Sequence, residues 1–187
     1  MILPIVVLGN PVLKKQAEDI TTGYPDIQLL LDNMFETMDN AKGVGLAAPQ
    51  IGKSIRVFIV DAGGMDEDKY KNFREVFINP EITEESGETW KFEEGCLSIP
   101  GIREMVERPE IIKITYLDRN FISHTTVFDG IAARIIQHEY DHIEGVLFTD
   151  LIPNFKKVLI KSRLNNIIKG EYKADYPTKR ILIKKAK

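Results

Sequence analysis

The run His138-Glu139-Tyr140-Asp141-His142 carries the residue types and spacing most able to do chemistry in this sequence. On a helix, residues i and i+4 lie one above the other on one face, so both imidazoles can reach a single metal ion, and the acid between them can work on a water bound there. The chain has three histidines in all, and two of them fall at this spacing within an otherwise apolar stretch. A pair of histidines packed in a core or left on a surface would lack that setting. A catalytic metal usually takes three protein ligands and keeps one position open. No histidine follows His142, Glu144 lies too near on the same helix, and Glu171 sits beyond the break at Gly170. Cys96, the one cysteine, is the remaining candidate; alone it would read as a small buried hydrophobe. It follows Glu94-Gly95, and glycine allows the close backbone approach that a ligand turn needs. One thiolate and two imidazoles suit Zn²⁺, Fe²⁺, Co²⁺ or Ni²⁺ in a tetrahedral site with a vacancy. Two rivals share these residues. An HExxH endopeptidase would want a downstream third ligand and a longer cleft, and a non-catalytic metal module would close the sphere with a fourth ligand, for which His124 is the unused histidine.

These residues need elements to hold them. A helix is expected from Asp129, a good N-cap, through IAARIIQHEYDHIEG to Gly145. Further helices are read over residues 11–19, over 26–41 with Leu29, Leu30, Met34, Phe35 and Met38 as its apolar stripe, and over Asn154–Lys169. In the last, Phe155, Val158, Leu159, Leu164, Ile167 and Ile168 are the apolar positions, and Gly170 ends it. Ile55–Asp61, Glu75–Asn79, Ile82–Lys91, Ile111–Leu117 and Ile122–Phe128 are rich in β-branched and aromatic residues and read as strands. The acidic stretch Asp61–Arg74, with Gly63-Gly64, reads as a surface loop. Strands in the middle and helices at both ends, without regular alternation, predict an α+β fold: mostly antiparallel strands around a central HExxH helix, with a C-terminal helix. No repeat or boundary stands out, so residues 1–187 are expected to form a single domain.

Composition excludes several classes. With 43% apolar and 28% charged residues and no apolar run near the ~18 needed to span a bilayer, a membrane protein is not expected. The opening MILPIVVLGNP lacks the basic start and cleavage site of a secretory signal, and the one cysteine suits a reducing compartment; a cytoplasmic protein is expected. The net charge of -3 hides a division: residues 153–187 hold 11 Lys and Arg against Glu171 and Asp175, while the remainder holds 14 basic against 26 acidic residues. The basic segment reads as a solvated helix face or as a foothold for a polyanion such as RNA.

Three blocks together give a resemblance: Gly43-Val44-Gly45-Leu46-Ala47-Ala48-Pro49-Gln50, Glu94-Gly95-Cys96-Leu97-Ser98, and Gln137-His138-Glu139-Tyr140-Asp141-His142. In order and content they resemble the signature of the peptide deformylases. The resemblance implies a hydrolase that removes the formyl group from N-formylmethionyl nascent peptides, with Cys96, His138 and His142 holding a divalent metal, Fe²⁺ physiologically, and Glu139 as general acid and base. It implies that Gln50 and the Leu97 N–H stabilise the oxyanion, that Val44, Gly45, Glu94 and Gly95 meet the substrate main chain, and that Arg103 lies near the substrate terminus. Ile131 and Ile135, on the helix face that carries the histidines, should line an apolar pocket for the methionine side chain. Arg134 and Asp141 are candidates for an ion pair supporting that helix. The basic residues Lys156, Lys157, Lys161, Arg163 and Lys169 would suit contact with the ribosome.

Overall fold

The computed structural model describes residues 1–65 and 69–180. Among them, helices combine with a mostly antiparallel sheet. The order runs β1 (Ile5–Val6), a 3₁₀ turn (Pro11–Lys14), α1 (Ile27–Asn40), β2 (Gly45–Ala47), a second 3₁₀ turn (Ala48–Ile51) and β3 (Val57–Asp61). It continues with β4 (Arg74–Cys96), β5 (Ile99–Leu117), β6 (Ser123–Asp129), α2 (Gly130–Ile143), α3 (Phe148–Leu151), α4 (Asn154–Lys169) and β7 (Thr178–Lys179). The strands β2-β3-β4-β5-β6 are hydrogen-bonded in that spatial order, all antiparallel, and β1 pairs with β7 in parallel.

The apolar run of β3 is explained by burial on both faces. Phe58 and Val60 pack with Ala132, Ala133 and Ile136 of α2. Val57 and Ile59 pack with Leu31, Met34 and Met38 of α1. Successive strand residues point to opposite faces, so a strand between two helical layers is apolar at every position. A third cluster joins Val6, Leu13, Cys96, Ile99, Leu147, Phe148, Ile160 and Ile167, bringing α3 and α4 against the start of β5.

The structure corrects four readings. Of residues 11–19, Pro11–Lys14 form one 3₁₀ turn and the rest is not helical: Asn10 accepts from the Val12 N–H, Lys15 is extended, the Ala17 N–H donates to the Ile143 carbonyl, and Glu18 bridges to Ile55. Long-range pairing there outcompetes local propensity. The expected strands 75–79 and 82–91 are one 23-residue strand, and β5 begins at Ile99 rather than Ile111. Pro80 and Gly87 fall at register shifts between Ile78 and Glu81 and between Ser86 and Thr89. A bulge accepts a proline or a left-handed glycine without ending the strand. In α1 the inward stripe holds Leu31, while Leu29 is exposed. In α4 the apolar side is split: Ile160 and Ile167 are buried, whereas Phe155, Val158 and Leu159 are 64%, 71% and 74% exposed. In the acidic stretch, Asp61 ends β3 and Arg74 begins β4, and residues 66–68 lie outside the described residues.

Phe77 is the centre of the first cluster, with ring centroids 4.7 Å from Phe58, 4.4 Å from Tyr116 and 6.0 Å from Phe128. It is fully buried. Phe77→Ala should cost about 3–5 kcal/mol by lost transfer energy and an unfilled cavity, read as a lower urea midpoint at unchanged slope; a loss below about 1 kcal/mol would show that the cluster collapses around the gap.

Candidate metal centre

Helix α2 is amphipathic in an unusual sense, because its polar residues His138, Glu139 and His142 face inward with Ile135 and Ile136. Asp129 precedes it at the N-cap position with an extended backbone, but its side chain makes no capping bond; Lys69 and the Tyr70 hydroxyl take the carboxylate instead. Strand β4 ends at Cys96, immediately before a tight return into β5 where Cys96 pairs with Ile99. The sulfur arrives from this turn and the imidazoles from the helix. The Cys96 Sγ lies 3.2 Å from His142 Nε2, and one donor atom from each of Cys96, His138 and His142 lies within 4.8 Å of the others. A tetrahedral ion with a thiolate at about 2.3 Å and imidazoles at about 2.0–2.1 Å needs donor atoms roughly 3.3–3.6 Å apart, so the donor set fits such an ion with modest adjustment. Burial, and then the charges of His138 and Arg108, lower the proton affinity of His142 well below the usual imidazole range, which favours the neutral, ligating form. His124 takes no part, since it sits on β6 with Nε2 3.0 Å from Asp118.

Below this triangle lies Glu94, whose side chain is committed to the protein. Its carboxylate accepts from His138 Nδ1 at 2.8 Å, from Arg108 at 2.7 and 3.0 Å, and from Arg134 at 3.0 Å. Burial raises its proton affinity, but the bonds from His138 and Arg108 outweigh that and hold the carboxyl far below the usual range. With Nδ1 tied to Glu94, the ring of His138 turns Nε2 toward the triangle. Arg108 also binds Asp141 at 2.7 Å. Arg134 and Asp141 therefore do not pair with each other as expected; each finds its partner through Glu94 and Arg108. Sequence reading passed over Arg108, yet a signal existed. Val106 and Arg108 share one face of β5, as Cys96 and Glu94 share one of β4, and both strands turn these positions inward. A cation at an inward position demands a buried anion.

Glu139 is 4% exposed, and its Oε2 has no hydrogen-bond partner among the described residues. Burial pushes its pKa up to about 7, with the His138 charge opposing. It is packed against Gly45, where a Cβ would lie 2.5 Å from Oε1 and 2.7 Å from Cγ. That contact gives Gly45 its reason to be glycine, in addition to any approach by a ligand backbone. Gln50 stands opposite: its Oε1 accepts the Ala47 N–H at 2.7 Å, which fixes the amide so that Nε2 faces Cys96 Sγ at 3.5 Å.

These groups form the floor of a cleft of about 570 Å³, in the range of small-ligand sites. Val44 and Gly45 line one side, on or beside β2, which is an edge strand with its outer side unpaired by the sheet. Gly95, Leu97 and Arg103 line the other, with Ile131 and Ile135 at the apolar end. A Cβ on Gly95 would lie 3.2 Å from Arg103 Cγ, so the arginine stem covers that glycine. Glu94 borders the cleft with its carboxylate occupied elsewhere, leaving its main chain for a ligand. Lys173 to Tyr176, beyond α4, complete the rim, and no sequence signal marked them. The Tyr176 hydroxyl donates to the Leu97 carbonyl at 2.8 Å, and burial, ahead of the nearby Cys96, pushes the phenol up to about 12. On α4, Lys156 pairs with Glu104 at 2.8 Å, Lys157 donates to the Asp150 carbonyl at 2.6 Å and Arg163 to the Gly101 carbonyl at 2.5 Å, while Lys161 and Lys169 are exposed.

Comparison with known proteins gives a consistent result. The sequence model described as polypeptide deformylase matches residues 2–158. Peptide deformylases of Christiangramia forsetii and Cytophaga hutchinsonii are 51% and 52% identical, covering 100% and 96% of this chain and 100% and 97% of their own. The crystal structure of a peptide deformylase from Legionella pneumophila superposes with a TM-score of 0.80 at 37% identity, covering 91% of this chain and 98% of that one.

Gly45→Ala should force the Glu139 carboxyl aside and cost about 1–3 kcal/mol as overpacking. In a Glu139→Ala background the same change should cost almost nothing. Equal penalties in the two backgrounds, measured by urea denaturation as a double-mutant cycle, would show that Gly45 is needed for its backbone alone.

Proposed function

Since the chain belongs to the peptide deformylase family and so removes the N-formyl group from nascent peptides by metal-dependent hydrolysis, we propose that Cys96, His138 and His142 hold the ion and that Glu139 carries the proton. The observation behind this is a buried carboxyl with a free oxygen beside a Cys, His, His triangle at the floor of a cleft. The ion supplies Lewis-acid polarisation of the formyl group and acidifies water at neutral pH. The ferrous ion is proposed as the physiological one, because thiolate and imidazole accept Fe²⁺, Zn²⁺, Co²⁺ or Ni²⁺ alike and the family resemblance favours iron.

Glu139 removes a proton from the attacking water and returns it to the departing amine, giving formate and a free amino terminus. Charge that develops on the formyl oxygen is met by Gln50 Nε2, held in orientation by the Ala47 N–H, and by the Leu97 N–H. The substrate backbone extends along the open edge of β2 at Val44 and Gly45, opposite the main chain of Glu94 and Gly95. Ile131 and Ile135 receive the methionine side chain, which is flexible and unbranched and so selected by burial and shape. Arg103 meets the far end of the peptide. Residues 1–187 act as one catalytic unit in the cytoplasm, where one cysteine stays reduced; among the described residues no helix is long and apolar enough to cross a membrane.

The test is formate release from a short formyl-methionyl peptide by anaerobically purified protein of measured metal content. Cys96→Ser should lose metal and turnover together. Glu139→Gln should keep the metal and lose about 10²–10⁴ in rate, the usual share of general acid–base catalysis. Near-normal turnover in Glu139→Gln would end the proton-transfer assignment, and internal cleavage of unformylated peptides would replace the reading with an endopeptidase.

The basic helix α4 is proposed to contact the ribosome, where formylated chains emerge. Lys161 and Lys169 are exposed, whereas Lys156, Lys157 and Arg163 have partners within the protein. Lys161→Glu with Lys169→Glu should weaken sedimentation with ribosomes and flatten its salt dependence. Binding indifferent to both salt and charge reversal would remove the contact. The further basic residues Lys184, Lys185 and Lys187 lie outside the described residues.

A further inference from the structure

The turn that delivers Cys96 is held by both ends of the chain. From the N-terminal side, the Leu8 N–H donates to the Ser98 carbonyl at 2.9 Å. From the C-terminal side, the segment beyond α4 returns to pair β7 with β1, with Ile5 N–H on Pro177 at 2.8 Å and Val7 N–H on Lys179 at 3.1 Å. That pairing brings Tyr176 over the turn, where its hydroxyl donates to the Leu97 carbonyl at 2.8 Å. The carbonyl of Leu97 and the N–H of Ser98 belong to one peptide unit. That N–H lies 3.4 Å from Cys96 Sγ and donates to it. One rigid peptide plane is thus clamped at its oxygen by a phenol and at its nitrogen by the ligand sulfur.

We propose that Tyr176 is a positioning residue for the metal centre: its hydrogen bond to the Leu97 carbonyl orients and polarises the Leu97–Ser98 peptide, whose N–H then sets how strongly the Cys96 sulfur donates to the ion. The inference rests on the reading of Cys96 as a ligand. A donor at a carbonyl oxygen strengthens the donation of the N–H in the same peptide, because hydrogen bonds in a chain polarise one another. Hydrogen bonds to a ligating sulfur withdraw electron density from it, which tunes both affinity and potential. The same clamp fixes the peptide that follows the Leu97 N–H, so a donor near the reacting oxygen is held in place by a residue 79 positions away in sequence.

The experiment uses the full chain loaded with Co²⁺, comparing wild type, Tyr176→Phe, Tyr172→Phe and Cys96→Ser. Tyr172 is the control, since its hydroxyl meets Thr178 at 2.9 Å in the same tail rather than the Leu97 carbonyl. Wild type should show a sulfur-to-cobalt charge-transfer band that Cys96→Ser abolishes. In Tyr176→Phe the band should move to longer wavelength, because a sulfur whose Ser98 N–H donor is less polarised gives up charge more readily. Metal should leave about 10–100-fold faster, because the turn that carries Cys96 loses its clamp and this outweighs the stronger donation, and kcat should fall while KM stays close to wild type. Tyr172→Phe should leave band and release rate unchanged. An unmoved band and unchanged release in Tyr176→Phe, equal shifts in both tyrosine variants, or a rise in KM alone would each overturn the proposal and leave Tyr176 as a wall of the cleft. If the wild type shows no such band, or Cys96→Ser retains it, the ligand reading fails and this inference with it.

Discussion

The buried carboxylate of Glu94 is the interaction on which the site depends. It is held by guanidiniums from β5 and α2 and by the imidazole of a proposed metal ligand, also on α2, so three groups from two elements meet on two oxygen atoms of a β4 side chain. Each of these charges would be costly alone in the interior, and removing one partner of a buried ion pair leaves the other uncompensated, a loss of about 3–5 kcal/mol. Here the account is balanced locally: Glu94 and Asp141 stand against Arg108 and Arg134. Arg134 is further placed by the Trp90 carbonyl at 2.6 Å and by the Trp90 ring, 4.5 Å from its guanidinium carbon. The network therefore fixes both the rotation of α2 about its axis and its height above the β4–β5 hairpin. The His138 ring inherits both.

Around that anchor, the reacting groups come from parts of the chain far apart in sequence: Gln50 after β2, Cys96 at the end of β4, His138, Glu139 and His142 on α2. None is held by its own element alone. Gln50 is fixed by the Ala47 N–H, Cys96 by the Ser98 N–H and His138 by Glu94, while Glu139 is wedged against Gly45. Three of these four constraints use a main-chain atom, whose position the sheet and turns determine, so they are stiffer than contacts between long side chains. A site whose groups must sit within fractions of an ångström gains most from such supports.

What was legible in the sequence follows from how local each pattern is. The spacing of His138 and His142 announces one helix face, because the geometry linking them lies within a single turn. The β-branched and aromatic run within Ile55–Asp61 announces a strand, while its burial on both faces shows only once α1 and α2 are packed against it. The β4–β5 hairpin was harder to see in full, since Pro80 and Gly87 resemble turn residues and only long-range pairing reveals them as bulges. The helix expected over 11–19 failed for a related reason: Ala17 and Glu18 have partners at Ile143 and Ile55, which no local window contains. Gly45 was read as meeting a ligand backbone, and the carboxyl of Glu139, 94 positions on, gives it a second reason to be glycine that no local window contains.

Glu139 illustrates why such distant contacts are tolerated. An acid that is almost wholly buried, with one oxygen unpaired, costs stability in exchange for a proton affinity raised into the neutral range. The fold can sustain that cost because the neighbouring charges are already balanced through Glu94 and because α2 is packed along its length against Phe58, Val60 and the aromatic cluster around Phe77. A helix held only by its own propensity would relieve the strain by rotating the carboxyl toward water. Rotation is opposed at one end by the His138 to Glu94 bond and along its side by the sheet, so the acid remains at the floor of the cleft. The stability of the core and the discomfort of Glu139 are thus two consequences of the same packing.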